Sequence, residues 1–371
     1  MAGYQSKHAS NEPDDDETEP AAAAPAVAAP APAVVAQATP LPAAGEARRR
    51  TLPAPVVALA VLLLQAAFIA SYVGALHAPK PANIPVAVVG SEATAAQLQG
   101  QLGAASGLVS LRAEPTADAA DDAIRDRRAD GAYDLTTGRL TIASGRGPAV
   151  ATVLTPIFGK VATANGQQFS TRDLAPLPSG DPRGLVTFYL VIGWIVGAYL
   201  LAAVLGLLGG MAATSIRSAG SRLLTLAVYA VVSGIAGAAI VETGFGYAVG
   251  NFWPLAATGA LLVFAVGAAT AGIEALFGLV GTALAILAFV VAGNPSAGGA
   301  WPLDVVPSPW REVGPYLPNA SGLTTVRQVL FFGGHGISQP VVVLVVYAVA
   351  GAALLFTTVR RGRPLVELLG R

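Results

Sequence analysis

The sequence predicts an α-helical integral membrane protein, with six transmembrane helices and a small α/β extracytoplasmic domain inserted after the first helix. Three observations predict it. Of 371 residues, 54% are hydrophobic and only 12% charged, about half the charge of an ordinary soluble domain. Apolar runs long enough to cross ~30 Å of hydrocarbon recur along the chain. One interval, 78–183, breaks that pattern with ten basic and ten acidic side chains.

The same composition narrows the function. A formal net charge of zero argues against a nucleic-acid partner, which needs an excess of basic groups. Without cysteine there is no disulfide, thiolate metal site or cysteine nucleophile. His8, His77 and His335 lie far apart and form no metal-ligand spacing. They read as isolated polar residues at loop or membrane edges, and no cofactor or metal is expected. Arginine outnumbers lysine nineteen to three and alanine is abundant, a usage associated with high-GC bacteria.

Residues 1–50 begin with Asp14-Asp15-Asp16-Glu17 and continue as an Ala/Pro tract ending at Arg48-Arg49-Arg50. Repeated proline blocks helix interiors, so this reads as a disordered cytoplasmic tail. Span 1, 53–76, carries no charge. It reads as a retained signal anchor whose three preceding arginines keep its start in the cytoplasm. Five more spans are expected at about 184–208, 223–241, 254–272, 275–292 and 340–358. Spans 4 and 5 together form an apolar run twice the length of one crossing, which predicts a tight hairpin at Gly272-Ile273-Glu274. Arg217 and Arg222 fall in the loop 209–222, and Arg360, Arg361, Arg363 and Arg371 in the basic tail 359–371, whereas the short loop 242–253 has Glu242 and no basic residue. That asymmetry predicts a multi-pass protein of the bacterial cytoplasmic membrane with both termini inside.

Within 78–183, Ile84–Val89 is a β-branched run closed by Gly90 and reads as a buried strand. A helix follows, with Ala95, Leu98, Leu102 and Ala105 on one face, then a second strand over 107–111. Residues 116–130 read as a helix capped by Thr116, with Ala120 and Ile124 inward and an Asp121–Arg125 pair at i,i+4. Residues 131–135 and 140–142 form a hairpin around Thr137-Gly138, and a helix over 148–165 leads back towards the membrane. The order βαβαββα gives a mixed sheet. Asp121, Asp122, Asp126 and Asp130, interleaved with Arg125, Arg127 and Arg128, read as a solvated helix face. Ser144-Gly145-Arg146-Gly147 lacks the spacing and lysine of a phosphate loop. No catalytic constellation stands out, so the chain is not expected to be an enzyme.

The outer segment 293–339 holds five prolines between Pro302 and Pro318, with Trp301, Trp310 and Tyr316 among them, as at a membrane–water boundary. Within it, 321–332 sets Leu323, Val326 and Leu330 against Arg327 and Gln328. This predicts a half-inserted, re-entrant helix at the outer leaflet, the alternative being a surface loop lying on the α/β domain. Asn319-Ala320-Ser321 matches a glycosylation triplet by chance.

This layout resembles the type-2 ABC transporter permeases. Within that group it is most similar to the phage-infection-protein-like branch, whose ectodomain sits between spans 1 and 2. The likeness covers 53–358 and rests on Pro85-Val86-Ala87-Val88-Val89 after span 1 and on Leu317-Pro318-Asn319, Val326-Arg327 and Phe331-Phe332-Gly333-Gly334 before the last span. Gly90-Ser91-Glu92 departs from the Asn and acidic residue common in relatives, and the ectodomain is compact where many are long. The resemblance implies an exporter subunit embedded in membrane lipid, forming a homo- or hetero-dimer of permease subunits with a cytoplasmic ATPase subunit. No G-x-x-x-x-G-K-[ST] occurs, so energy must come from that partner. Ser215, Arg217 and Arg222 in the loop 209–222 are the implied coupling segment; the plainer reading makes the arginines topology anchors. A competing function is a non-transporting scaffold or receptor acting through the α/β domain. An ion-driven transporter fits less well, because Glu242 and Glu274 are placed at span ends and no other ionisable group lies in a span.

Overall fold

The computed structural model describes residues 53–247 and 250–359. The acidic Ala/Pro tail and the basic C-terminal tail lie outside them. Helix covers about 68% of the described residues, and five helices among them are long and apolar enough to cross a membrane. These are α1 (Ala54–Leu76), α5 (Leu185–Gly209), α6 (Ile216–Phe245), α7 (Phe252–Phe277) and α11 (Ser338–Val359). A small five-stranded sheet stands between the first two of them.

The α/β domain reads β1 (Ile84–Val89), α2 (Glu92–Gln101), β2 (Val109–Glu114), α3 (Ala117–Arg125), β3 (Gly131–Asp134), β4 (Arg139–Ile142), α4 (Ala149–Ala164) and β5 (Ser170–Asp173). Side chains start its two smaller helices: Ser91 Oγ accepts from Thr94 N, and Thr116 Oγ1 from Ala119 N. Strand order is β2-β1-β3-β4-β5. Only the β3–β4 hairpin is antiparallel, so the sheet is mixed as expected. β1 is buried on both faces because its alternate residues meet different helices. Ile84, Val86 and Val88 pack with Leu98 of α2 and with Val150, Leu154 and Phe158 of α4, whereas Ala87 packs with Ala120, Ala123 and Ile124 of α3.

Two expectations are corrected here. Residues 149–164 do not lead back to the membrane; their apolar face closes the sheet, and β5 follows before α5. Asp121 pairs with Arg172 on β5, and Arg125 pairs with Asp122 one turn earlier, at 2.7 Å. Asp121 is turned inward at 6% exposure, so the one-turn geometry goes to its neighbour.

In the bundle, α7 is the enclosed axis, with α5, α6, α10 (Pro318–Phe331) and α11 packed around it. Small residues bring these helices together. A Cβ on Gly272 would lie 2.5 Å from the Gly351 carbonyl of α11, and one on Gly237 would lie 2.5 Å from Trp194. Gly272 is therefore a packing glycine, and α7 runs straight through Ile273 and Glu274. The turn falls at Gly278, whose φ of +61° and ψ of −139° suit glycine alone. α8 (Leu279–Ile286) then continues as wider π-helical turns over Leu287–Ala292. Those fourteen residues span about 21 Å, short of a full crossing. The stretch 293–299 that follows, irregular apart from one 3-10 turn over Pro295–Ala297, is buried throughout, the condition under which irregular backbone is tolerated at membrane depth.

α1 is largely exposed along its first half and is held near its far end. The π turns leave carbonyls for side chains to use: Ser71 Oγ donates to Val291 O, and Asn319 Nδ2 of α10 donates to Phe289 O at 2.9 Å. Trp310, at the start of the short α9 (Trp310–Val313), donates to Ser71, and Asn294 links Tyr72 to Asn319.

Candidate functional site

α10 joins the sheet domain to the bundle. The sequence predicts an amphipathic, half-inserted or re-entrant helix here, with Arg327 and Gln328 opposite the apolar stripe, or else a surface loop lying on the α/β domain. Instead it is buried on every side, including Leu323, Val326, Arg327 and Gln328, with Leu330 partly covered. Its apolar face packs on α7, where Leu262 fills the space beside Gly322. Its polar face is covered by the α/β domain rather than by water.

Arg327 makes the join. Its Nη1 donates to Arg146 O at 2.8 Å and Gly298 O at 2.9 Å; the other nitrogens make longer contacts to Gly184 O, Gly299 O and Thr187 Oγ1. One side chain thus ties α10 to the sheet domain, the 293–300 segment and the start of α5. Gln328 Nε2 donates to Arg125 O at 2.8 Å, beyond the middle of α3. Phe332 inserts beside Ala143 and Ala175 in the sheet's second core, with Arg146 5.3 Å above its ring. Phe331 lies against Gly145, where a Cβ would approach to 2.6 Å. The Ser144–Gly147 turn is therefore a docking surface for α10. Asn319 is fully buried, so its triplet serves no glycan.

At this junction lies a cavity of about 320 Å³ walled by Arg127, Arg146, Arg311, Arg327, Asp130 and Asp304. Asp130 accepts from Arg146 at 2.8 Å. Burial, and then the adjoining Asp130 carboxylate, push the Asp304 carboxyl up to about 7, against the pull of Arg146. Partial burial and then the charge of Arg146 lower the Arg127 guanidinium, although the residue as a whole is exposed. Arg127 also holds a left-handed φ of +62°, uncommon for a side chain of its size. Of the acidic cluster read as a solvated face, only Asp122 and Asp126 remain at the surface. Asp121 is buried, and the Asp130 side chain is 10% exposed.

The opposite end of the bundle holds the other expected residues. Ser215 caps α6 by accepting from Ser218 N at 3.1 Å. Arg217 is exposed. Arg222 is buried in the first turns of α6 and donates to Gly209 O, Gly210 O and Met211 O, closing the C-terminal end of α5. Glu274 lies inside α7 at 1% exposure and accepts from Thr282 of α8 at 2.7 Å. Glu242 lies in the last turn of α6.

The sequence pointed to Arg327 and to the polar stripe it shares with Gln328, but not to what covers that stripe. It gave Arg127 and Asp130 to a solvated helix face, set the turn holding Arg146 aside as no phosphate loop, and passed over Arg311 and Asp304; the three segments share no motif spacing. No family model, curated protein or solved structure matches this chain.

Proposed function

We propose that the chain is the membrane subunit of an ABC-type exporter in the bacterial cytoplasmic membrane. It moves an amphipathic or lipid-like molecule, with energy from a separate ATPase subunit. The observation that carries this reading is an apolar groove of about 510 Å³ between α5 and α6, lined by Leu190, Trp194, Ile240 and Val241, with Asp181 among its walls. Apolar walls suit the hydrocarbon part of such a molecule; the Asp181 carboxylate at one end is buried and accepts from Leu185 N, Val186 N and the Tyr247 hydroxyl. The resemblance to type-2 permeases supports the same assignment, and the lack of a nucleotide-binding loop puts the energy source on a partner.

On this reading α8 and the buried stretch after it make the sixth crossing. The arginines before α1 and at Arg217 set both ends inside, leaving the α/β domain outside. Arg222 is spent on α5, so Arg217 is the coupling contact and Arg222 shapes the loop that presents it. Isolation from a native host in mild detergent, followed by mass spectrometry and an ATPase assay, tests the proposal. A stoichiometric ATPase with vanadate-sensitive turnover is expected; a homo-oligomer without one, where known pairs survive, contradicts it.

A scaffold or receptor is the second reading, favoured by a groove of about 710 Å³ lined wholly by the α/β domain, including Leu102, Leu108, Ile157 and Lys160. Under it, Ile157→Glu abolishes the phenotype and Arg217→Glu leaves it intact; under the exporter reading Arg217→Glu abolishes it.

A further inference from the structure

The cavity at the junction has more cation than its carboxylates neutralise. Four guanidiniums and two carboxylates wall it. Arg146 is paired with Asp130, but among the described residues no carboxylate lies within ion-pair distance of Arg127, which is exposed, of Arg311, which is half-buried, or of Arg327, the one buried charge of the three. Arg327 is 5% exposed and places its donors only on neutral oxygens. Nη1 of Arg311 and Nε of Arg146 are buried with no hydrogen-bond partner at all. Buried donors are ordinarily satisfied, and buried charge is ordinarily paired. Water would supply the missing hydrogen bonds and leave the charge unbalanced.

We propose that this cavity is a binding site for a phosphate-type oxyanion, held by the free donors of Arg127, Arg146 and Arg311 beside the fixed charge of Arg327. The planar guanidiniums of Arg127 and Arg311, from separate turns of the cavity wall, match the oxygen geometry of such a group, and Arg146 adds only its Nε, because its terminal nitrogens are held by Ala129 O, Asp130 and Ile124 O. A volume of about 320 Å³ is at the small end of ligand sites and admits a phosphate with a short substituent. The group is a lipid headgroup or a free phosphate, since both present the same oxygens. Asp130 and Asp304 keep the empty cavity from carrying four uncompensated charges and set how strongly an anion is drawn in. The site stands whether or not the chain transports anything, because it rests on side chains that the export reading does not use.

The full chain in an uncharged detergent, at fixed ionic strength, is titrated with inorganic phosphate, with monomeric dihexanoyl phosphatidylglycerol and with uncharged dihexanoylglycerol. Thermal stability and tryptophan emission are followed, Trp310 being next to Arg311. Saturable stabilisation by inorganic phosphate assigns a free oxyanion, and saturation by the phospholipid alone assigns a headgroup. Arg311→Gln and Arg127→Gln each weaken binding roughly tenfold or more, and the lysine variants, which keep charge and fold but lose the fork, weaken it less. The proposal is overturned if neither anion saturates, if dihexanoylglycerol matches the phospholipid, or if folded Gln variants bind as the native chain does.

Discussion

Arg222 and Arg327 are both buried guanidiniums that spend their donors on backbone carbonyls, yet they do different work. Arg222 reaches residues 11 to 13 positions away and finishes the end of α5. Arg327 reaches segments 28 to 181 positions away and holds the α/β domain on the bundle. The first is a helix-end device in which a cation meets the negative end of a dipole. The second is a tertiary tie in which one charge satisfies the ends of several segments at once. At the Arg222 end, the buried carboxylate of Glu274 accepts from Thr282 of α8. At the Arg327 end, positive charge accumulates around a cavity.

The comparison breaks first at Arg327. Arg327→Ala leaves several buried carbonyls without a donor and costs about 3–5 kcal/mol, read as loss of folded, monodisperse protein in detergent. Arg222→Ala removes an end cap and costs about 1–2 kcal/mol, read as a lower thermal midpoint with the fold retained. Equal losses would mean that both arginines are local caps.

Asp304→Asn sharpens the contrast at the cavity. The Asp304 carboxyl is raised to about 7, so the folded protein binds a proton that the unfolded chain has released between about pH 4 and 7. Stability therefore falls as pH rises through that window, and the cost persists above it. The variant should gain thermal stability over the native chain at pH 8 and gain none at pH 4. With sulfate, which does not titrate in this range, the native chain should bind more tightly at pH 6 than at pH 8, when Asp304 is charged beside Asp130, Arg127, Arg146, Arg311 and Arg327. The variant should show little of that dependence. The smallest effect belongs to Arg217→Ala, which is exposed and should change stability by less than about 0.5 kcal/mol while lowering any ATPase coupling.

The long apolar helices and the strand pattern of the α/β domain were legible because composition and periodicity fix them locally. The run Ile84–Val89 reads as a buried strand whatever surrounds it, and Thr116 announces α3. The turn between α7 and α8 was misplaced because two glycines compete in that run. Only packing against Gly351 tells Gly272 from Gly278, and packing against a distant helix leaves no trace in local sequence. What covers Arg327 and Gln328 was left open for a related reason. A polar stripe opposite an apolar one looks the same whether water or another domain covers it. β5 was invisible because Ser170–Asp173 is short, polar and exposed at the sheet edge. The cavity residues come from segments up to 200 positions apart, and nothing in their spacing marks them as neighbours.

Hydrogen exchange across α10 in the intact protein tests most directly that its polar face is sealed by the α/β domain. Slow exchange over residues 319–329, matching that of 262–272 in the enclosed α7, is the predicted result. Fast exchange there while α7 stays protected would contradict it and return α10 to a half-inserted helix whose polar face meets water.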